Sequence, residues 1–264
     1  MDSIVLMALL ATLGTWLVTA LGAATVVFFK TPNPKALNLM LGFASGVMIA
    51  ASFWSLLQPA IERAEERLAV SAGFVVTVGF LCGALFIWIS DKAVTFMRRK
   101  VDNGGGSPNK KFSRIMMLIL SITIHNIPEG LAVGLAFGAA AVSGEPSAYY
   151  AALGLAIGMS IQNFPEGAII SMPLRAGGVS KRKAFMYGVL SGIVEPIGAA
   201  ITLLAVSAIL PILPFLLGFA AGAMIYAVVK ELMPSISEDQ NSEIGPLSFC
   251  AGFSLMMILD VALG

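Results

Sequence analysis

Residues 115–144 read IMMLILSITIHNIPEGLAVGLAFGAAAVSG. The run is longer than the roughly 20 apolar residues that carry a helix across a hydrocarbon core. Yet near its middle stand an imidazole, an amide, a proline and a carboxylate, from His125, Asn126, Pro128 and Glu129, and its only ionisable groups are His125 and Glu129. A charged group at that depth costs about 2.5–3.5 kcal/mol on insertion scales, so these residues call for a purpose.

The rest of the chain extends the apolar theme. Of its 264 residues 58% are hydrophobic and 12% charged, with a mean hydropathy of +0.89. Soluble domains carry about 25% charged residues, which sets this composition apart from theirs and identifies a polytopic membrane protein. Uncharged runs at Ser3–Phe29, Ala36–Ile61 and Leu68–Ser90 predict three further crossings. Pro146–Leu174 holds only Glu166, and Ala184–Val229 holds only Glu195 and is long enough for two spans hinged near Leu210–Phe215 (LPILPF). Ile244–Gly264, interrupted only by Asp260, completes eight. The predicted fold is all-α: a bundle of eight transmembrane helices forming a single transmembrane domain over residues 1–264.

Basic residues are retained on the cytoplasmic side of a membrane. Placing the N-terminus outside puts 14 of the 16 Lys and Arg residues in cytoplasmic connections, leaving only Arg63 and Arg67 beside Glu62, Glu65 and Glu66. Both termini are therefore assigned to the outer face. The opening MDSIVLMALL lacks a basic leading region and reads as a retained helix. A basic, Gly-rich cytoplasmic loop is expected at Arg98–Phe112, and an acidic connection at Lys230–Gly245. Cys82 and Cys250 lie within apolar runs and read as small hydrophobes.

One repeat stands out. N-[IF]-P-E-G occurs at Asn126–Gly130 and again at Asn163–Gly167, in consecutive spans that must run antiparallel. Inverted repeats place a shared site where the two copies meet, near the middle of the bilayer. On a helix, residues three and four apart share a face. His125 and Asn126 thus share a stripe with Glu129, as Gln162 and Asn163 do with Glu166. Pro128 and Pro165 leave the carbonyls of Ile124 and Ile161 without a helical donor. The next span adds Glu195, again directly before a proline.

Three carboxylates with no Lys or Arg in the same spans need protons or a bound cation to offset their charge. One imidazole, several carboxylates and amide oxygens, without thiolate, suit borderline to hard divalent ions such as Zn²⁺, Fe²⁺, Mn²⁺ or Cd²⁺.

At these residues the chain resembles the ZIP (Zrt/Irt-like protein) family of divalent metal transporters, and within it the GufA-like branch. HNIPEG in the fourth span, QNFPEG in the fifth, EPIGA in the sixth and MMILDVALG at the end carry the resemblance. It implies a binuclear centre, with one metal held by His125, Glu129, Gln162 and Glu166. The adjacent metal would be held by Asn126, Asn163 and Glu195, with Glu129 and Glu166 able to bridge. It further implies metal moving into the cytoplasm as substrate, rocking of one helix group against another, and a homodimer.

Two departures are visible. The loop after the third span has no His, where many members are His-rich. Where members often carry a His-Glu pair at the end of the seventh span, this chain has Lys230 and Glu231. Glu231 is kept as an exit-side position, beside a cation expected to weaken metal binding there. Ser45 and Met48 are expected at an outer entrance.

The resulting expectation is a multi-pass transporter in a cell membrane, taken as a prokaryotic inner membrane. Its partners are divalent metal ions and the lipid bilayer, with no nucleic acid and no organic cofactor. The alternatives are a proton-coupled carrier or channel for another cation, and an intramembrane zinc hydrolase. The second needs ligands, an open coordination position and a general base, and the chain has a single His and no H-E-x-x-H.

Overall fold

The computed structural model describes residues 2–29, 33–67, 72–103, 110–236 and 243–263, and among them every regular element is a helix. α1 (Asp2–Ala24) closes in a 3₁₀ turn. α2 (Pro34–Ala51) passes through a π-helical turn (Ser52–Leu57) into α3 (Gln58–Arg67). α4 (Ala72–Asn103), α5 (Lys110–Ser143) and α6 (Pro146–Ala176) follow. α7 (Lys181–Ser191) and α8 (Val194–Leu204) form one broken crossing. α9 (Val206–Ile209) and a 3₁₀ turn at Leu210–Ile212 lead into α10 (Leu213–Ala227), which ends in a second π-helical turn (Val228–Leu232) and α11 (Met233–Ile236). α12 (Ile244–Leu263) closes the bundle.

Among the described residues seven crossings are apolar and long enough to span a membrane by length and composition alone. α6 supplies the eighth, with 31 residues. Its apolar character is diluted by Gln162, Asn163 and Glu166, the residues that give it a purpose.

Local sequence places the ends. Pro34 starts α2 at a position that needs no N–H, and the Asn33 side chain accepts from Lys35 N at 3.0 Å. Gly144, with φ 68°, turns the chain between α5 and α6 in a conformation other residues resist. That short turn makes the two motif-bearing helices antiparallel neighbours.

The expected loop at 98–112 is shorter than hydropathy suggested. α4 runs on to Asn103 and α5 begins at Lys110, leaving only 104–109 outside the described residues. Charged residues sustain a helix in water, and hydropathy marks only its membrane part. Part of the acidic connection, 237–242, also lies outside the described residues.

Packing divides the bundle in two. α2 packs on α12 and α4 on α10, while α1 packs on α6 and α5 on α8. The first two pairs use one device, the sequence GFxxG at Gly42–Gly46, Gly79–Gly83 and Gly218–Gly222. A Cβ on Gly46 would overlap the Phe249 carbonyl, and one on Gly83 the Phe219 carbonyl. Backbones meet directly there, as close membrane packing requires. The halves join where α2 and α12 lie on α6, and where α4 and α10 lie on α5. Leu17 and Leu21 on α1, Leu81 on α4 and Ile258 on α12 remain exposed, forming part of the lipid-facing surface.

Candidate metal centre

The glycine that closes each motif copy explains how the site is assembled. A Cβ on Gly130 of α5 would run into the backbone of Glu195, and one on Gly167 of α6 into the Thr19 carbonyl of α1. Each copy therefore admits a neighbouring helix that brings another site group: α8 brings Glu195, and α1 brings Thr15, one turn before Thr19. Glu195 lies in the first turn of α8, just after the break at Gly192 and Ile193. The positive end of that helix favours a carboxylate.

Glu129, Glu166 and Glu195 each bring one oxygen within 4.8 Å of the others. Around them runs a network of amides. Gln162 Nε2 donates to Glu129 Oε2 at 2.8 Å and to Asn163 Oδ1 at 2.5 Å. Asn163 Nδ2 donates to Glu195 Oε2 at 2.6 Å, and Asn126 Nδ2 to Glu195 Oε1 at 3.4 Å. The Thr15 hydroxyl donates to Glu195 Oε2 at 2.9 Å. Glu129, Glu195 and the three amides are all buried, and Glu166 is half-buried.

Polar satisfaction fails in one direction only. Glu166 Oε2, Gln162 Oε1 and Asn126 Oδ1 are buried with no hydrogen-bond partner among the described residues, and all three are acceptors. An unmatched buried acceptor costs about 1–3 kcal/mol. Two ionised carboxylates no more than 4.8 Å apart repel by about 3.5 kcal/mol or more at an effective dielectric constant of 20. A divalent cation between them reverses the sign of that interaction and supplies what the acceptors lack.

His125 stands one turn from Glu129 on α5, in a second cluster. Its Nε2 is 3.4 Å from Asp91 Oδ1 and its Nδ1 3.3 Å from Glu231 Oε2. Asp91, His125 and Glu231 form another trio with ligand atoms within 4.8 Å of one another. Lys230 Nζ donates to the other Asp91 oxygen at 2.6 Å. This cluster lies toward the end of the bundle where α4 ends and α5 begins.

At the opposite end a cavity of ≈ 600 Å³ opens between α3, α5, α6 and α12. Glu62, Glu66, Glu145 and Asp260 line it with Arg63 and Trp54. Asp260 is buried, accepts a bond from the Ser55 hydroxyl through one oxygen and has no partner for the other. Between this cavity and the glutamates lies one apolar cluster containing Met48, Leu155, Met159 and Met256. Ser45 and Met48, expected at an outer entrance, are fully or almost fully buried, whereas Ser55 and Asp260 line the cavity.

Six of the seven residues read from the repeat and the following span thus meet in one network, and the seventh, His125, meets Asp91 and Glu231 instead. Asp91 was missed. It directly follows an apolar run and precedes Lys92, so a hydropathy reading ends the span before it. Thr15 was missed as well, because a hydroxyl in an apolar helix reads as local packing, as in Thr123 and Ser160, which bond carbonyls of their own helices.

A sequence model of the family described as ZIP Zinc transporter matches residues 102–260. The chain is 40% identical to zinc transporter ZIP11 of Xenopus tropicalis, across 98% of each chain. It is 37% identical to zinc transporter ZIP11 of Homo sapiens, covering 99% of this chain and 98% of the relative. It is 33% identical to zinc transporter GufA of Myxococcus xanthus, covering 97% and 98%.

Proposed function

The chain belongs to the ZIP family of zinc transporters, and from that premise we propose that it carries Zn²⁺ into the cytoplasm through the Glu129–Glu166–Glu195 cluster. It is a multi-pass membrane transporter of divalent metal, not an enzyme. The observation that carries the finer reading is the acceptor-only imbalance: three convergent carboxylates and three unmatched buried acceptors.

In this reading the acidic cavity gathers cations from the outer face. The apolar layer around Met48 and Met159 separates them from the centre. Glu129, Glu166 and Glu195 then replace the hydration shell, with Gln162, Asn126 and Asn163 able to turn amide oxygens toward the ion. Two carboxylates flanking one space also allow a binuclear centre. From there the ion passes to Asp91, His125 and Glu231, one turn farther along α5. Rocking the half that contains α1, α5, α6 and α8 against the half that contains α2, α4, α10 and α12 opens one end and closes the other.

The basic connections support a reading in which the second cluster faces the cytoplasm and both termini lie outside. The whole chain, 1–264, acts as one transport domain, in our reading a homodimer in a prokaryotic inner membrane. Fe²⁺, Mn²⁺ and Cd²⁺ accept similar ligands, so affinity order and physiological cargo need not coincide. Uptake of ⁶⁵Zn²⁺ by proteoliposomes, with these ions as competitors, tests the reading. Zinc uptake that competitors reduce supports it; uptake no faster than in protein-free vesicles overturns it.

A further inference from the structure

The Lys230–Asp91 pair has unlike ends. The Asp91 side chain is 9% exposed and the Lys230 side chain 46%. The carboxylate is held inside the bundle, whereas the ammonium reaches it on a flexible four-carbon stem, with Nζ 5.9 Å from the centroid of the Tyr226 ring. Beside the pair, the His125 side chain is also only 9% exposed, and among the described residues neither ring nitrogen has a hydrogen-bond partner although both face carboxylates. One nitrogen and two carboxylates, each from a different crossing, therefore surround a space suited to a divalent ion.

Three protein ligands of this kind are enough to keep zinc resident, with metal–oxygen bonds of about 2.0–2.2 Å. An ion that stayed at this point would block the route behind it. An ammonium on Asp91 Oδ2 works against this, because it offsets the charge of the carboxylate whose Oδ1 faces the metal space and repels a second cation across it. With Asp91 and Glu231 ionised, Lys230 also returns one of the two negative charges that would otherwise hold the metal.

Resting on the transport reading, we propose that Lys230 is a tethered counter-cation. It yields Asp91 to the passing metal and reclaims it afterwards, so that the Asp91–His125–Glu231 cluster passes the ion on and does not store it. Lys230 is in this sense a positioning residue for release, acting through Asp91 and its charge.

The test is the number of zinc ions retained per chain by full-length protein in lipid nanodiscs, measured by equilibrium dialysis with ⁶⁵Zn²⁺. Lys230→Met is expected to retain one ion more than the native chain, and Lys230→Gln, which keeps a polar side chain, the same. Adding Asp91→Asn to Lys230→Met is expected to remove the extra ion, and Lys230→Arg to match the native count. Proteoliposome uptake by Lys230→Met should fall several-fold as release slows. Native stoichiometry in both the Met and Gln variants, or an extra ion that survives Asp91→Asn, overturns the proposal. Retention is read without transport, so a native chain that moves no zinc would sink the transport reading and leave this count to decide the role of Lys230.

Discussion

Asn163 on α6 donates to the Glu195 carboxylate on α8 at 2.6 Å, joining the second copy of the repeated motif to a buried acid outside both copies. The same amide accepts from Gln162 and reaches the Thr15 carbonyl at 3.3 Å, so one side chain holds three crossings in register. Replacing Asn163 with Ala removes an orienting donor while leaving the Thr15 bond to Glu195. Partners that orient ligands are worth about 10–100-fold in metal affinity. Zinc affinity of Asn163→Ala, measured by calorimetry, is expected to fall by about that range, and an unchanged affinity would show that Asn163 does not orient the centre.

Metal and protons compete for the same carboxylates. Ligation requires the ionised form and releases any protons present, so zinc affinity should weaken as the pH falls through the carboxylate titration range. Dialysis across a pH series checks this. An affinity that stays flat would mean that the glutamates are not the ligands.

Asp260 lines the cavity at the end of the bundle opposite His125 and, among the described residues, has one oxygen unmatched; in the proposed reading this cavity is the outer one. Its charge should act on capture and not on the later steps. For Asp260→Ala we expect a several-fold higher KM for zinc with kcat nearly native, the pattern of lost uniform binding. A lowered kcat with unchanged KM would move Asp260 into the transport step.

Two glycines offer a matched pair. A Cβ on Gly130 overlaps the Glu195 backbone, whereas one on Gly14 meets nothing within 4 Å. Overpacking costs about 1–3 kcal/mol, while Ala in place of Gly in an open helix position favours the helix by about 1 kcal/mol. Thermal unfolding in detergent should therefore show Gly130→Ala destabilised and Gly14→Ala unchanged or stabilised. Equal effects would mean that α5 and α8 do not pack through Gly130.

The crossings were legible because a membrane helix must be apolar over its full depth, and residues 115–144 declare both the span and its exception. The repeat located Glu129 and Glu166 on facing helices for the same reason. The third dimension was less accessible. Spacing places His125 and Glu129 on one face, but they stand about 6 Å apart along the axis, and only the neighbouring helices decide which group each one meets. Asp91 and Glu231 claim His125 because α4 and the π-helical turn after α10 pass at its level, a relation between residues 91, 125 and 231 that no local pattern encodes. Asp91 also shows why hydropathy loses functional acids near a span boundary: next to Lys92 it looks like the start of a loop, although α4 continues through it as a helix.

The decisive measurement is ⁶⁵Zn²⁺ uptake by proteoliposomes containing the native chain, Glu129→Ala, Glu195→Ala or, as a control on the exposed face of α3, Glu65→Ala. We expect uptake by the native chain and Glu65→Ala, with loss to the level of empty vesicles in the other two despite normal insertion and folding. Native uptake by folded Glu129→Ala and Glu195→Ala would contradict passage of the metal through the buried glutamates.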